Sequence, residues 1–245
     1  MTIASLAMYP FAHLRPSFDR LWESVRDRLT FDAPVLNWDL DPLEASHRDD
    51  LLLGQTCGWP LVTELASSVR VVGTFDCDVE GAHDGTYYSV LVSNSSEPLV
   101  EVLRRLDLVV VANASDSLSG WVSLRVATAA AGRQLDTAQW TRSHAASIEA
   151  LRSGRAHLAS IDSVTWAHIG TDDLFVVGRG PRVPCLPLVT AGSSSDAVLG
   201  ELRAALAATV RDPAMSGVCA TLKIRDFLER DLTDYEGVPG LAELW

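Results

Sequence analysis

A chain of 245 residues, 47% of them hydrophobic, is long enough to bury one large core or two smaller ones. Its formal net charge of −12 excludes a sequence-independent grip on nucleic acid or on an anionic membrane, which both need a basic surface. That charge does not exclude a small anion, because a few aimed N–H and hydroxyl groups outweigh a diffuse surface field.

The opening "MTIASLAMYP" lacks the basic start and continuous apolar core of a signal peptide and reads as a short strand, Ala4 to Met8, ended by Pro10. The expectation is a cytoplasmic protein, or a periplasmic one if the chain is a processed form. Direct membrane insertion is not expected, since no segment reaches the ~20 apolar residues that span a bilayer. A helix over about 17–29 follows, with Phe18, Leu21, Trp22, Val25 and Leu29 in one stripe. Val35 to Asp39 reads as a strand, "DPLEASHRDD" as a short helix capped by Asp41, "LLLGQTCGWPLVTEL" as strand, loop and helix, and "VRVVGTFDC" as a strand. This β-α-β-α-β alternation is the sign of a parallel sheet flanked by helices.

"YYSVLVSN" reads as a strand crossing into a second lobe. There the alternation repeats: helix 98–105, strand 108–112, helices from Ser119 and His144, strand 157–161 and a helix from Val164. "LFVVGRG" and "VPCLPLVTA" cross back, and helices over about 195–211 and 224–230 finish on the first lobe. The reading is an α/β chain of two lobes, each a mostly parallel sheet flanked by helices, with a ligand cleft between them. Lobe 1 is 1–86 plus 184–245 and lobe 2 is 87–183, with crossings near 78–92 and 176–188.

In open α/β sheets, ligands sit beyond the carboxyl ends of strands, where helices begin. Tyr9, "GQTCGW", "DSLSGW", "TRSHAAS" and "IDSVTW" occupy such positions. In "NASDSLSGWVSLR" an apolar strand gives way to hydroxyls and glycine at a helix start, where unpaired N–H groups carry the positive end of the dipole. Ser117 and Ser119 are therefore either plain N-caps or anion ligands. Gly120 favours contact, because glycine in a first turn costs stability and serves where another group approaches the backbone. His144 at a helix start is a neutral donor or a cap, and Asp162 is a cap or a partner for a ligand amine or hydroxyl. His13, His47, His83, His157 and His168 show no metal-ligand spacing, and the four cysteines form no CxxC pair, so they read as reduced, mostly buried thiols. Neither a metal nor a cofactor is expected.

"LLLGQTCGWPL", the strand Tyr87-Tyr88-Ser89, "NASDSLSGWVSLR", "TRSHAASIEALRSGRAHLASIDSVTW" and "LPLVTA", in this order, resemble the phosphonate-binding family. These are the solute-binding proteins of phosphate, phosphite and phosphonate ABC transporters, and the likeness runs from about Ala4 to Ala191. It implies the type II periplasmic-binding-protein fold, an oxyanion held by Ser117, Ser119, Gly120, Ser143 and His144, and Tyr87, Asp162, Gln55 and Thr56 facing the rest of the ligand. It also implies an ABC permease as partner. Two residues depart from the family pattern: Asp116 lies beside the proposed anion site, and Arg142 stands before Ser143 where the family commonly has glycine.

The function expected is a solute-binding protein closing on a small polar, oxyanionic ligand of the phosphonate or phosphate kind. Two alternatives are an enzyme in the same cleft and a cytoplasmic sensor with a signalling partner. The enzyme reading would cast Cys57, His144 and Asp162 as nucleophile, base and orienting group. All three fall in segments the binding family accounts for, so no catalytic residue is assigned.

Overall fold

The computed structural model describes residues 2–244. In chain order it contains β1 (Ile3–Ser5), α1 (Arg15–Arg26), α2 (Pro42–Ser46), β2 (Leu51–Gln55), α3 (Gly58–Pro60), β3 (Val69–Cys77), β4 (Thr86–Tyr87) and β5 (Ser89–Ser93). Next come α4 (Leu99–Leu103), β6 (Val110–Ala112), α5 (Ser123–Ala130), β7 (Gln139–Trp140), α6 (His144–Arg152), β8 (Leu158–Asp162), α7 (Ser163–Ile169) and β9 (Phe175–Arg179). The chain closes with β10 (Val183–Pro184), β11 (Pro187–Ala191), α8 (Asp196–Val210), α9 (Ser216–Leu222), β12 (Ile224–Leu228) and short 3-10 turns.

The described residues form two compact units, 2–86 with 184–236 and 87–183 with 237–244. The sequence pattern places the whole tail, to residue 245, in the first lobe. Residues 237–244 belong instead to the second unit, where the 3-10 turn Pro239–Leu244 packs on α5.

The first unit is built on a sheet of order β1-β2-β11-β3-β12. β1, β2 and β3 share one direction, while β11 and β12 run against them. α1 packs its stripe of Phe18, Leu21, Trp22 and Val25 inward, and the Trp22 indole N–H donates to the Pro34 carbonyl at 2.7 Å. Asp41 caps α2 by accepting from the N–H groups of Leu43 and Glu44. Two expected elements differ. Residues 35–39 form no strand beyond a single bridge from Leu36 to Ala4. The stretch 224–230, expected as a helix, instead carries the edge strand β12 over Ile224–Leu228, paired antiparallel with β3.

The second unit carries the sheet β7-β6-β8-β5-β9, in which β5 alone is reversed. Both sheets are thus mixed in pairing and not mostly parallel. The strands entered just after the chain passes between units, β5 and β11, run against their neighbours. Alternation along the strands splits the second unit's core between two faces. Val90, Val92, Val111, Ala159 and Ile161 pack with Ile148 and Leu151 of α6 on one face. Leu91, Val110, Ala112 and Leu158 pack with Trp121, Leu124 and Ala127 on the other.

Candidate functional site

The carboxyl end of β8 sets the site. Asp162 lies directly opposite Ser89 in the antiparallel β5–β8 ladder, so both side chains stand on one face. Ser160, two residues earlier, shares that face, which is the face covered by α5.

The segment leading into α5 is a π-helical turn, Leu118–Val122, not the regular helix start expected at Ser119. Ser117 is its N-cap and accepts from the Gly120 N–H at 3.0 Å. Ser160 Oγ donates to the Ser119 carbonyl at 2.6 Å, tying this turn to β8. Asn113 accounts for Gly120: a Cβ there would lie 1.8 Å from Asn113 Oδ1. The group that approaches the glycine backbone is this side chain.

His144, first residue of α6, joins the elements. Its Nε2 lies 3.0 Å from Ser119 Oγ and 3.4 Å from Asp162 Oδ2. A carboxylate this close favours hydrogen on Nε2, and in that tautomer Nε2–H donates to the Ser119 oxygen beside the Asp162 charge. The Ser119 hydroxyl proton is then available to a third partner. Asp162 Oδ1 accepts from the Thr165 N–H at 2.8 Å and caps α7, while Ser143 caps α6 through Ala146.

Around this chain lie buried polar atoms with no hydrogen-bond partner among the described residues: Ser89 Oγ, Asn113 Oδ1, Ser123 Oγ and His144 Nδ1. Ser123 follows Ser119 by one turn, and a Cβ on Gly180 would fall 1.9 Å from its Oγ. The Gly180 N–H in turn donates to the Ser89 carbonyl. Such atoms cost about 1–3 kcal/mol each when left unpaired, so a cluster of them marks a place that receives a polar partner. Sequence reasoning missed Ser89, Ser123, Ser160 and Asn113. The i, i+4 spacing of Ser119 and Ser123 was the one local signal.

Of the candidates, Ser117, Ser119, Gly120, Ser143, His144 and Asp162 come together here, and Tyr87 is buried in the same unit. Tyr9, Gln55 and Thr56 belong to the first unit, at or just after the ends of the parallel pair β1–β2, where Ser5 Oγ and Gln55 Oε1 are likewise buried without a partner among the described residues. Arg142 is exposed, and its contribution is backbone geometry: φ is +72° and its N–H donates to the Asn113 carbonyl at 2.8 Å. A left-handed residue here explains why glycine suits the position. Asp116 is half-buried.

Burial holds His144 below the ordinary histidine value, opposed by the Asp162 charge and by the Ser160 backbone. The unfolded chain therefore takes up a proton near the ordinary value of 6.5 that the folded chain does not. Stability contributed by this group is full above that pH and falls as pH drops below it, with a slope limited to about 1.4 kcal/mol per pH unit. His144→Gln is expected to flatten that part of the pH–stability curve between pH 7 and 5, measured by urea unfolding. An unchanged slope would mean that His144 is not held neutral.

Both partners of the imidazole converge on Nε2. A nucleophile–base–orienter relay instead uses the two ring nitrogens in series. Cys57 lies in the first unit, at the start of α3. Among the described residues no cluster of His, Cys, Asp and Glu is arranged to hold a metal, and no helix is long and apolar enough to cross a membrane.

Comparison with curated proteins finds no match. Among solved structures, PhnD1 from Prochlorococcus marinus in complex with methylphosphonate superposes with a TM-score of 0.72 at 17% identity, covering 99% of this chain and 95% of that one. A binding protein component of an ABC phosphonate transporter from Pseudomonas aeruginosa gives 0.75 at 14% identity, covering 99% and 85%. XAC2383 from Xanthomonas citri, bound to ATP, gives 0.67 at 14% identity, covering 100% and 96%. The fold is the type II periplasmic-binding-protein fold. The family model for the periplasmic substrate-binding protein of phosphonate ABC transporters matches residues 57–235, and the chain belongs to that family.

Proposed function

We propose that this protein binds a small oxyanion of the phosphonate or phosphate class through the second unit, and delivers it to an ABC permease. The family is one of substrate-binding proteins, not enzymes, and it is periplasmic. Its periplasmic setting does not support the cytoplasmic expectation and agrees with that of a processed form. The observation that carries the ligand class is the Ser119–His144–Asp162 chain ringed by unpartnered Ser89, Ser123 and Asn113 oxygens. Two serine hydroxyls donate to an oxyanion, and the imidazole Nδ1 adds a charged donor once protonated. The methylphosphonate held by the Prochlorococcus marinus relative supports the phosphorus class.

Because burial holds His144 neutral, anion binding raises its proton affinity and takes up a proton. Affinity therefore increases as pH falls between the two His144 values, and His144→Gln removes that dependence. The test is a thermal-shift and calorimetric screen of methylphosphonate, aminoalkylphosphonates, phosphate, phosphite and sulfate. Ligand at a hundred times its Kd stabilises by about 2.7 kcal/mol, roughly 5–10 °C for a chain of this size. Ser119→Ala and His144→Ala are each expected to weaken binding by roughly 10- to 200-fold, the worth of one charged hydrogen bond. Absence of a shift with every oxyanion would overturn the assignment.

A further inference from the structure

Cys77 and Cys185 are 108 positions apart in sequence, yet their sulfurs lie 3.4 Å from each other inside the first unit. Both side chains are buried. Cys77 ends β3 opposite Ile224 of β12, and Cys185 directly follows β10, where the chain re-enters this unit. The Cys185 backbone is held from two directions: its N–H donates to the Gly85 carbonyl at 2.8 Å, and its carbonyl accepts from the buried Tyr235 hydroxyl at 3.0 Å. With the backbones held and the sulfurs 3.4 Å apart, a bond of about 2.05 Å requires a further approach of little more than an ångström. Cys219 Sγ lies 3.9 Å from the Val210 carbonyl, and Cys57 lies at the start of α3.

We propose that Cys77 and Cys185 form a disulfide when the protein resides in an oxidising compartment, locking the re-entry segment to β3. The oxidant is a small or protein disulfide. One cysteine, as thiolate, attacks a sulfur of the oxidant to give a mixed disulfide, releasing the first thiol. The second cysteine thiolate then displaces the other, so one S–S bond forms, one is broken, and the two electrons and two protons leave with the two product thiols. The inference stands apart from the ligand assignment, since neither cysteine is among the proposed ligand contacts.

The test uses the whole protein in two arms: native protein held with oxidised glutathione, and protein refolded from urea in glutathione redox buffers. Non-reducing proteolysis and mass spectrometry should find one linked peptide pair carrying Cys77 and Cys185, lighter by two hydrogens than the reduced pair, with Cys57 and Cys219 still open to alkylation after denaturation. Bridging so long a loop should raise Tm by roughly 5–15 °C over the reduced protein, and the rise should be missing in Cys77→Ala and Cys185→Ala. Four alkylatable cysteines in both arms, a link to Cys57 or Cys219, or an oxidised protein no more stable than the reduced one would each overturn the proposal. The comparison of oxidised with reduced wild-type protein decides the matter even if a variant fails to fold.

Discussion

Gly120→Ala is expected to destabilise the protein by about 1–3 kcal/mol, the usual cost of forcing extra volume into a packed site. The added methyl would meet Asn113 Oδ1 at 1.8 Å and Ser117 Oγ at 3.0 Å. Ser117 Oγ is held by accepting the Gly120 N–H that closes the turn, and the Asn113 backbone is anchored by the Arg142 N–H, so room can come only from turning the Asn113 side chain. Asn113→Ala in the same chain should restore most of the lost stability, so the two changes together cost less than their sum. Urea unfolding of the two single variants and the double variant checks this. Additive losses would show that the collision lies with Ser117, and no loss in Gly120→Ala would show that the asparagine turns aside. Oxyanion affinity should follow the stability pattern, because Ser119 is the neighbouring residue.

Asp162→Ala and Asp162→Asn are expected to part company. The alanine variant loses the cap on α7, worth roughly 0.5–2 kcal/mol, and leaves His144 without its buried partner, for a total of about 2–3 kcal/mol. Asparagine caps a helix as well as aspartate does, so the cost there should stay under about 1 kcal/mol. What asparagine lacks is the charge that favours protonation of His144. The affinity–pH curve for an oxyanion should therefore move to lower pH in Asp162→Asn. Calorimetric titrations at several pH values read this directly, and a curve that stays in place would separate Asp162 from the titration of His144.

Local signals in the sequence located the helix starts. Asp41, Ser143, Asp162 and Ser195 each cap the helix that their position announces, because a cap depends only on residues two or three away. β12 was misread for an identifiable reason. Ile224, Phe227 and Leu228 fall at helical spacing, yet the strand has a register shift between Ile224 and Asp226, which lets both Ile224 and Phe227 bury despite their odd separation. Lys223, in the left-handed conformation at φ +57°, had already ended α9. Long-range pairing was invisible. Ser89 joins the site only through its register with Asp162, Asn113 only through its lean against Gly120, and Cys77 meets Cys185 only once β11 has been inserted beside β3.

The return of the tail to the second unit has a practical consequence for optical reporting. Glu236 and Gly240 are both exposed and only four positions apart, yet one belongs to the first unit and the other to the second. A fluorophore at 240 therefore rides with the unit that carries Ser119 and His144, and the same dye at 236 rides with the other. Each can be paired with a second dye on α1 of the first unit. The 240 pair then reads any ligand-driven motion between units, while the 236 pair serves as its built-in reference.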